Sequence, residues 1–175
     1  MKTSKKMILG YILGGLLVLI IAPSLIYLGS NLLDHFYRIE ITRNRLTQTI
    51  ITIPLLLIGL TFGIWSIVIQ NVVGQGGPLE ISDIEISPKT RNLVVTGPYR
   101  YTRNPMLFGT FLIYLTVAVF INSLNAVFLV ILFMIFMLVI VVKKEEARLV
   151  RDFGNQYQEY RRKTSLIIPW FPLNR

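Results

Sequence analysis

The chain has 175 residues, 53% of them hydrophobic and only 15% charged, with a mean hydropathy of +0.60 and a formal net charge of +9. That is too little polar surface for a soluble domain of this length, so the apolar excess belongs in a bilayer. The absence of cysteine excludes disulfides, thiolate metal sites, a cysteine lipid anchor and a cysteine nucleophile. The single histidine, His35 beside Asp34, lacks the companions of a metal site and reads as an interfacial loop residue.

In chain order, residues 7–28 form an uncharged run of 22 residues. As a helix this exceeds the roughly 30 Å of a hydrocarbon core, and it is longer than the apolar stretch of a signal peptide. Residues 49–73 form a second span, with Pro54 expected in its first turns, where a missing N–H costs least. A third run, 106–121, has only 16 residues, about 24 Å of helix. Asn122-Ser123-Leu124-Asn125 then reads as a turn, and 124–142 as the fourth span, so the last two spans make a tight antiparallel hairpin. The expected architecture is all-α: a single integral membrane domain over 1–175, with two leading spans (7–73), a catalytic part (74–175) and an amphipathic tail helix.

Lysines and arginines orient these spans. Fifteen lie at the N-terminus, in the loop after the second span and in the tail, against three (Arg38, Arg43, Arg45) on the other side. This asymmetry predicts both termini in the cytoplasm of a cell whose inner membrane holds the protein. The basic charge flanks spans and forms no separate domain, so it speaks for lipid headgroups and against nucleic acid.

After the fourth span, the tail opens with Lys143-Lys144-Glu145-Glu146. At about 100° per residue, Leu149, Val150, Phe153, Tyr157 and Tyr160 fall within about 60° of Glu146, with Lys144, Arg148, Arg151 and Arg162 on the far side. Glu146 therefore sits inside an apolar stripe, and a carboxylate there needs a partner. An ion pair to Arg100, Arg103 or Lys143 is one answer; a bound ligand is the other. Because a helical hairpin returns to the side it left, the turn preceding 106–121 and the start of the tail must be neighbours.

Other local signals are weaker. Residues 74–78, Gly-Gln-Gly-Gly-Pro, lack the third glycine of a phosphate loop and follow no strand, so they read as a flexible turn. Residues 81–86 alternate apolar and polar, but Ser87-Pro88 ends the run quickly and no sheet is expected. Phe108, Phe111, Tyr114, Phe128, Phe133 and Phe136 read as lipid-facing or packing groups. Gly109 permits a close approach of a neighbouring span or of a cofactor.

The order of the polar pieces carries a resemblance. Leu-Val-Val-Thr-Gly-Pro-Tyr-Arg-Tyr-Thr-Arg-Asn-Pro-Met-Leu-Phe-Gly (93–109), a hydrophobic hairpin, Glu145-Glu146-x-x-Leu149, Phe153-Gly154-x-x-Tyr157-x-x-Tyr160 and Ile168-Pro169-Trp170 follow one another. Together they resemble the isoprenylcysteine carboxyl methyltransferase family and its phospholipid methyltransferase relatives over about residues 70–172. The glycine-rich stretch at 74–78 sits where that family has a glycine-proline loop. Asn104 departs from the eukaryotic members' histidine, and Leu107 from their usual tyrosine; asparagine hydrogen-bonds but does not titrate, so an acid/base role at that position is lost.

The resemblance implies methyl transfer from S-adenosylmethionine to a lipophilic acceptor at the membrane surface, with no metal. It implies a cofactor enclosed by Tyr101, Arg103, Asn104, Pro105, Gly109, Glu146, Tyr157 and Tyr160. The tyrosines would supply aromatic walls, Glu146 an acceptor for ribose hydroxyls, and Arg103 with Asn104 a polar clamp. Arg100 is the alternative clamp. Arg100, Arg103 and Glu145 are the expected catalytic set: an arginine would orient a carboxylate acceptor, which is already ionised at pH 7, whereas an amine acceptor needs a base such as Glu145 or Glu146. Two other classes stay open: a membrane reductase of the sterol-reductase type, distinguished by NADPH binding, and a non-catalytic membrane protein, in which neutralising Glu146 changes nothing.

Overall fold

A computed structural model of the chain describes residues 5–75 and 90–170; the 81–86 alternation and most of the 74–78 turn lie outside them. The first span is helix α1 (Lys5–Leu16) continued through a π-turn (Leu17–Ile21) into α2 (Ala22–Phe36). The helix thus runs past the expected end of the first span, and His35, expected in a loop, stands in its last turn. Helix α3 (Arg45–Ile69) begins where Asn44 Oδ1 accepts the Leu46 N–H at 2.8 Å, a side-chain N-cap. The cap lengthens the second span at its start, so Pro54 lies inside the helix and not in its first turns.

A π-turn (Gln70–Gly74) ends α3, and a short 3-10 turn (Gly97–Arg100) leads to α4 (Pro105–Phe120), which opens on a proline whose absent N–H is no loss there. Asn122 in the left-handed conformation and Ser123 as N-cap reverse the chain into α5 (Leu124–Phe136). Through another π-turn (Met137–Val142), α5 continues directly into α6 (Lys143–Lys163), broken only by a kink at Gly154. Among the described residues there is no strand, only one isolated parallel bridge between Thr102 and Ser165.

Three helical stretches, Ile8–Phe36, Arg45–Gly74 and Leu124–Lys163, are long and apolar enough to cross a membrane, and Pro105–Phe120 is a shorter apolar helix. With Leu, Ile and Phe side chains exposed all along them, this is an all-α membrane protein. Lipid tails are as apolar as leucine, so the helices associate through close packing and polar contacts. Helices α3 and α4 meet where a Cβ at Gly109 would lie 2.7 Å from both Gly59 O and Gly63 N, backbone against backbone. Ile26, Tyr114, Ala118, Ala126 and Val130 form the small core among α2, α4 and α5. Tyr114, expected as a packing group, also donates its hydroxyl to Val18 O at 2.8 Å, a carbonyl in the first π-turn. Phe128 and Phe136 are exposed, as the lipid-facing reading requires.

A polar latch closes the hairpin end. Asp34 Oδ1 accepts from Ser123 Oγ at 2.9 Å and Asn125 Nδ2 at 2.7 Å, and Asn122 Oδ1 accepts the N–H groups of Ile41 and Thr42, both at 3.1 Å. These bonds tie the hairpin tip to the loop between α2 and α3. The opposite ends of α3 and α4 and the start of α6 come together at the other end of the bundle.

Candidate active site

At that end, three segments converge: the end of α3 with the 3-10 turn, residues 101–104 before α4, and α6. The turn approaches α3 because Gly97 adopts φ +61, and a Cβ there would lie 2.8 Å from Ile69 Cγ1. Thr-Gly-Pro at 96–98 is thus the local signal that presses Tyr99 to Arg103 onto the bundle. Tyr99 Oη donates to Gln70 Oε1 at 3.2 Å, and its carbonyl accepts from Tyr160 Oη at 2.6 Å, which links α3, the turn and α6.

The centre is Arg103 and Glu146. Arg103 Nη1 lies 2.6 Å from Glu146 Oε1, with side-chain exposures of 10% and 13%. Tyr157 Oη donates to the same oxygen at 3.1 Å, and Arg161 Nε stands 3.6 Å from Oε2. Of the ion-pair partners considered for Glu146, Arg103 is the one present, with Arg161 added. Nη1 of Arg103 is thus taken up by Glu146, whereas its buried Nε has no hydrogen-bond partner among the described residues. Among the described residues, Glu146 Oε2 has Arg161 Nε at 3.6 Å. A guanidinium and a carboxylate side by side present both donors and acceptors to the space they border.

Glu145 lies beside this pair, with Arg148 Nη2 3.9 Å from its Oε1. Desolvation first, and the Glu146 charge second, push the Glu145 carboxyl up to about 7. Its side chain is 37% exposed, and solvent on the open side moderates both effects. Burial raises the hydroxyl pKa values of Tyr99, Tyr157 and Tyr160, reinforced by Glu145 at Tyr99 and by Glu146 at Tyr157, so all three stay protonated donors.

The other expected residues divide. Tyr157 and Tyr160 stand together, ring centroids 6.1 Å apart, and Tyr101 lies 6.3 Å from Trp65. Asn104, expected in the polar clamp, donates Nδ2 to Leu166 O at 2.9 Å. Gly109, expected to permit a close approach of a span or of a cofactor, lies in the seam with α3. Pro105 is buried at the start of α4. Arg100, the alternative clamp, is exposed and forms no ion pair among the described residues.

Arg148 overturns the helical wheel. Expected on the outer basic face, it is 5% exposed, and desolvation lowers its pKa. Arg148 and Glu146 are about 200° apart on a helix, yet both are covered, so the start of α6 is enclosed on opposite faces. A wheel assigns one buried face and misses this. Beyond Gly154 (φ 52, ψ −125) the kink also breaks the wheel's phase. Gln70, Asn71, Tyr99 and Arg161 join the site neighbourhood without having been singled out from sequence; Asn71 Oδ1 is a buried acceptor with no partner among the described residues. The polar pair Gln70-Asn71 at the end of an apolar span was the available signal.

Neither a curated protein nor a solved structure matches the chain. The family model described as phospholipid methyltransferase matches residues 47–156, which takes in most of α3, the Arg103 turn, the hairpin and α6 as far as Gln156. That covers well over half of the sequence, and the chain belongs to this family of integral membrane methyltransferases.

Proposed function

We propose that the protein transfers a methyl group from S-adenosylmethionine to a lipophilic acceptor at the cytoplasmic face of the cell inner membrane, both termini lying on that side. The observation that carries this reading is the Arg103–Glu146 pair at 2.6 Å, with Tyr157 on the same carboxylate oxygen and Arg103 Nε a buried donor that has no hydrogen-bond partner among the described residues. Arg103 Nε suits the carboxylate of the cofactor's amino-acid end, Glu146 Oε2 suits its ribose hydroxyls, and the Tyr157–Tyr160 pair offers an aromatic face. Bound S-adenosylmethionine supplies a sulfonium-activated methyl group.

This chain's own residues then bind, orient and deprotonate. Arg103 and Glu146 hold one end of the site in fixed geometry, so most of the acceleration comes from alignment for in-line attack. Exclusion of water by a bound lipophilic acceptor favours a displacement that disperses charge. A carboxylate or thiolate acceptor needs only orientation by an arginine. An amine acceptor must lose a proton, and Glu145, raised to about 7, is matched to that task at neutral pH.

Calorimetry of the detergent-purified protein with S-adenosylhomocysteine tests the cofactor. Wild-type protein should bind, and Arg103→Ala and Glu146→Gln should bind more weakly; no heat with wild type, or binding of NADPH instead, overturns the reading. A labelled-methyl assay on membrane lipid and on prenylcysteine analogues then separates amine from carboxylate acceptors.

A further inference from the structure

After α6 the chain turns back along the Arg103 segment. Arg103 N–H donates to Ser165 O at 2.9 Å, Asn104 Nδ2 to Leu166 O at 2.9 Å, and Thr102 Oγ1 to the same Leu166 carbonyl at 3.2 Å. Tyr101 O accepts from Trp170 N–H at 2.9 Å and from Ser165 Oγ at 3.1 Å. Residues 165–170 are thus strapped along 101–104, and Thr102 is fully buried beneath them.

The strap leaves two apolar side chains largely uncovered: Ile168 is 74% exposed and Trp170 66% exposed. Its level is set by the residues it grips, because Asn104 immediately precedes Pro105, the first residue of the apolar helix α4. The strap therefore lies where an apolar span meets the polar end of the bundle. Arg100, Arg161, Arg162 and Lys163, all exposed, surround it in sequence and in its anchoring segment.

We propose that residues 165–170 are an interfacial strap that docks on an anionic lipid leaflet, with Ile168 and Trp170 seated at the boundary between headgroups and acyl chains. Indole, with an apolar body and one N–H, suits that boundary. The cationic side chains beside it gain from an anionic surface. Because the segment is already hydrogen-bonded to the protein, docking costs little ordering entropy. The same bonds carry the contact inward: the Ser165 carbonyl holds the backbone of Arg103, so the seating of the strap on lipid bears on the turn that presents the buried arginine.

The full chain contains two tryptophans, so Trp65→Phe leaves Trp170 as the sole emitter. In nanodiscs of phosphatidylglycerol, lipid brominated near the headgroup end of its chains should quench Trp170 more strongly than lipid brominated near the chain ends, while aqueous acrylamide quenches it less than free tryptophan. Replacing the anionic lipid with phosphatidylcholine should weaken the shallow quenching. Full acrylamide quenching with none from either brominated lipid would place the strap in water and overturn the proposal. Stronger quenching by the deep probe would overturn the interfacial seat, and equal quenching in the zwitterionic lipid would overturn the electrostatic part. Circular dichroism of the variant checks that the helices are intact. The readout is position, so it stands apart from whether methyl transfer occurs.

Discussion

Tyr157 Oη donates to Glu146 Oε1 across the Gly154 kink, at 3.1 Å. The bond joins the two halves of α6 to one carboxylate, and that carboxylate is the one paired with Arg103. The site is therefore built from a turn before one span and from both sides of a bend after another.

Glu146→Gln keeps an acceptor for Tyr157 but removes the charge opposite Arg103 and Arg161. We expect S-adenosylhomocysteine affinity to fall by about 1–3 kcal/mol, the range for an unsatisfied buried hydrogen bond. Glu146→Ala should also lower thermal stability, because Arg103 would remain enclosed without its counter-charge. Titration calorimetry and detergent melting curves measure the two effects.

Methyl transfer to an amine acceptor should rise with pH through about 7 as Glu145 ionises, and Glu145→Gln should flatten that limb. Stability should move the other way. A carboxyl whose folded pKa is raised binds protons more tightly in the native state, so its contribution is greatest at low pH and is lost as pH climbs from the ordinary carboxylate range to about 7. Rate profiles and melting temperatures across that window read both signs.

Gly154→Ala should straighten or strain α6. A Cβ there meets nothing within 4 Å, so crowding is not the obstacle; φ 52 with ψ −125 is a conformation that L residues rarely adopt. The expected cost is about 1–3 kcal/mol, with weakened cofactor binding as Tyr157 leaves Glu146. Gly109→Ala should destabilise for the opposite reason, since its new methyl meets the α3 backbone at 2.7 Å. Gly15→Ala, with open space around it, should be neutral or slightly stabilising in the same melting assay.

Asn104→Asp replaces the N–H₂ that holds Leu166 O with a second acceptor facing that carbonyl. The strap should loosen by about 1 kcal/mol or more, which limited proteolysis near residues 164–168 would register as faster cleavage. Asn104→Gln should restore part of the protection.

Long uncharged runs have one physical outcome in a bilayer, where every backbone group must bond within its own helix. Hence the apolar spans, the 106–121 and 124–142 hairpin and the nearness of the Arg103 turn to the Glu146 helix were legible from residues alone. Glu146 in an apolar stripe also announced a buried carboxylate in need of a partner. What only the packed molecule decided were the choices among neighbours. Arg103 took the carboxylate while Arg100 stayed exposed; Asn104 went to the strap; Gly109 went to the α3 seam; and Arg148, on the supposed outer face, was enclosed. Periodicity reports one face of one helix, whereas partner choice depends on distances between segments far apart in the chain, and those exist only once the helices have packed.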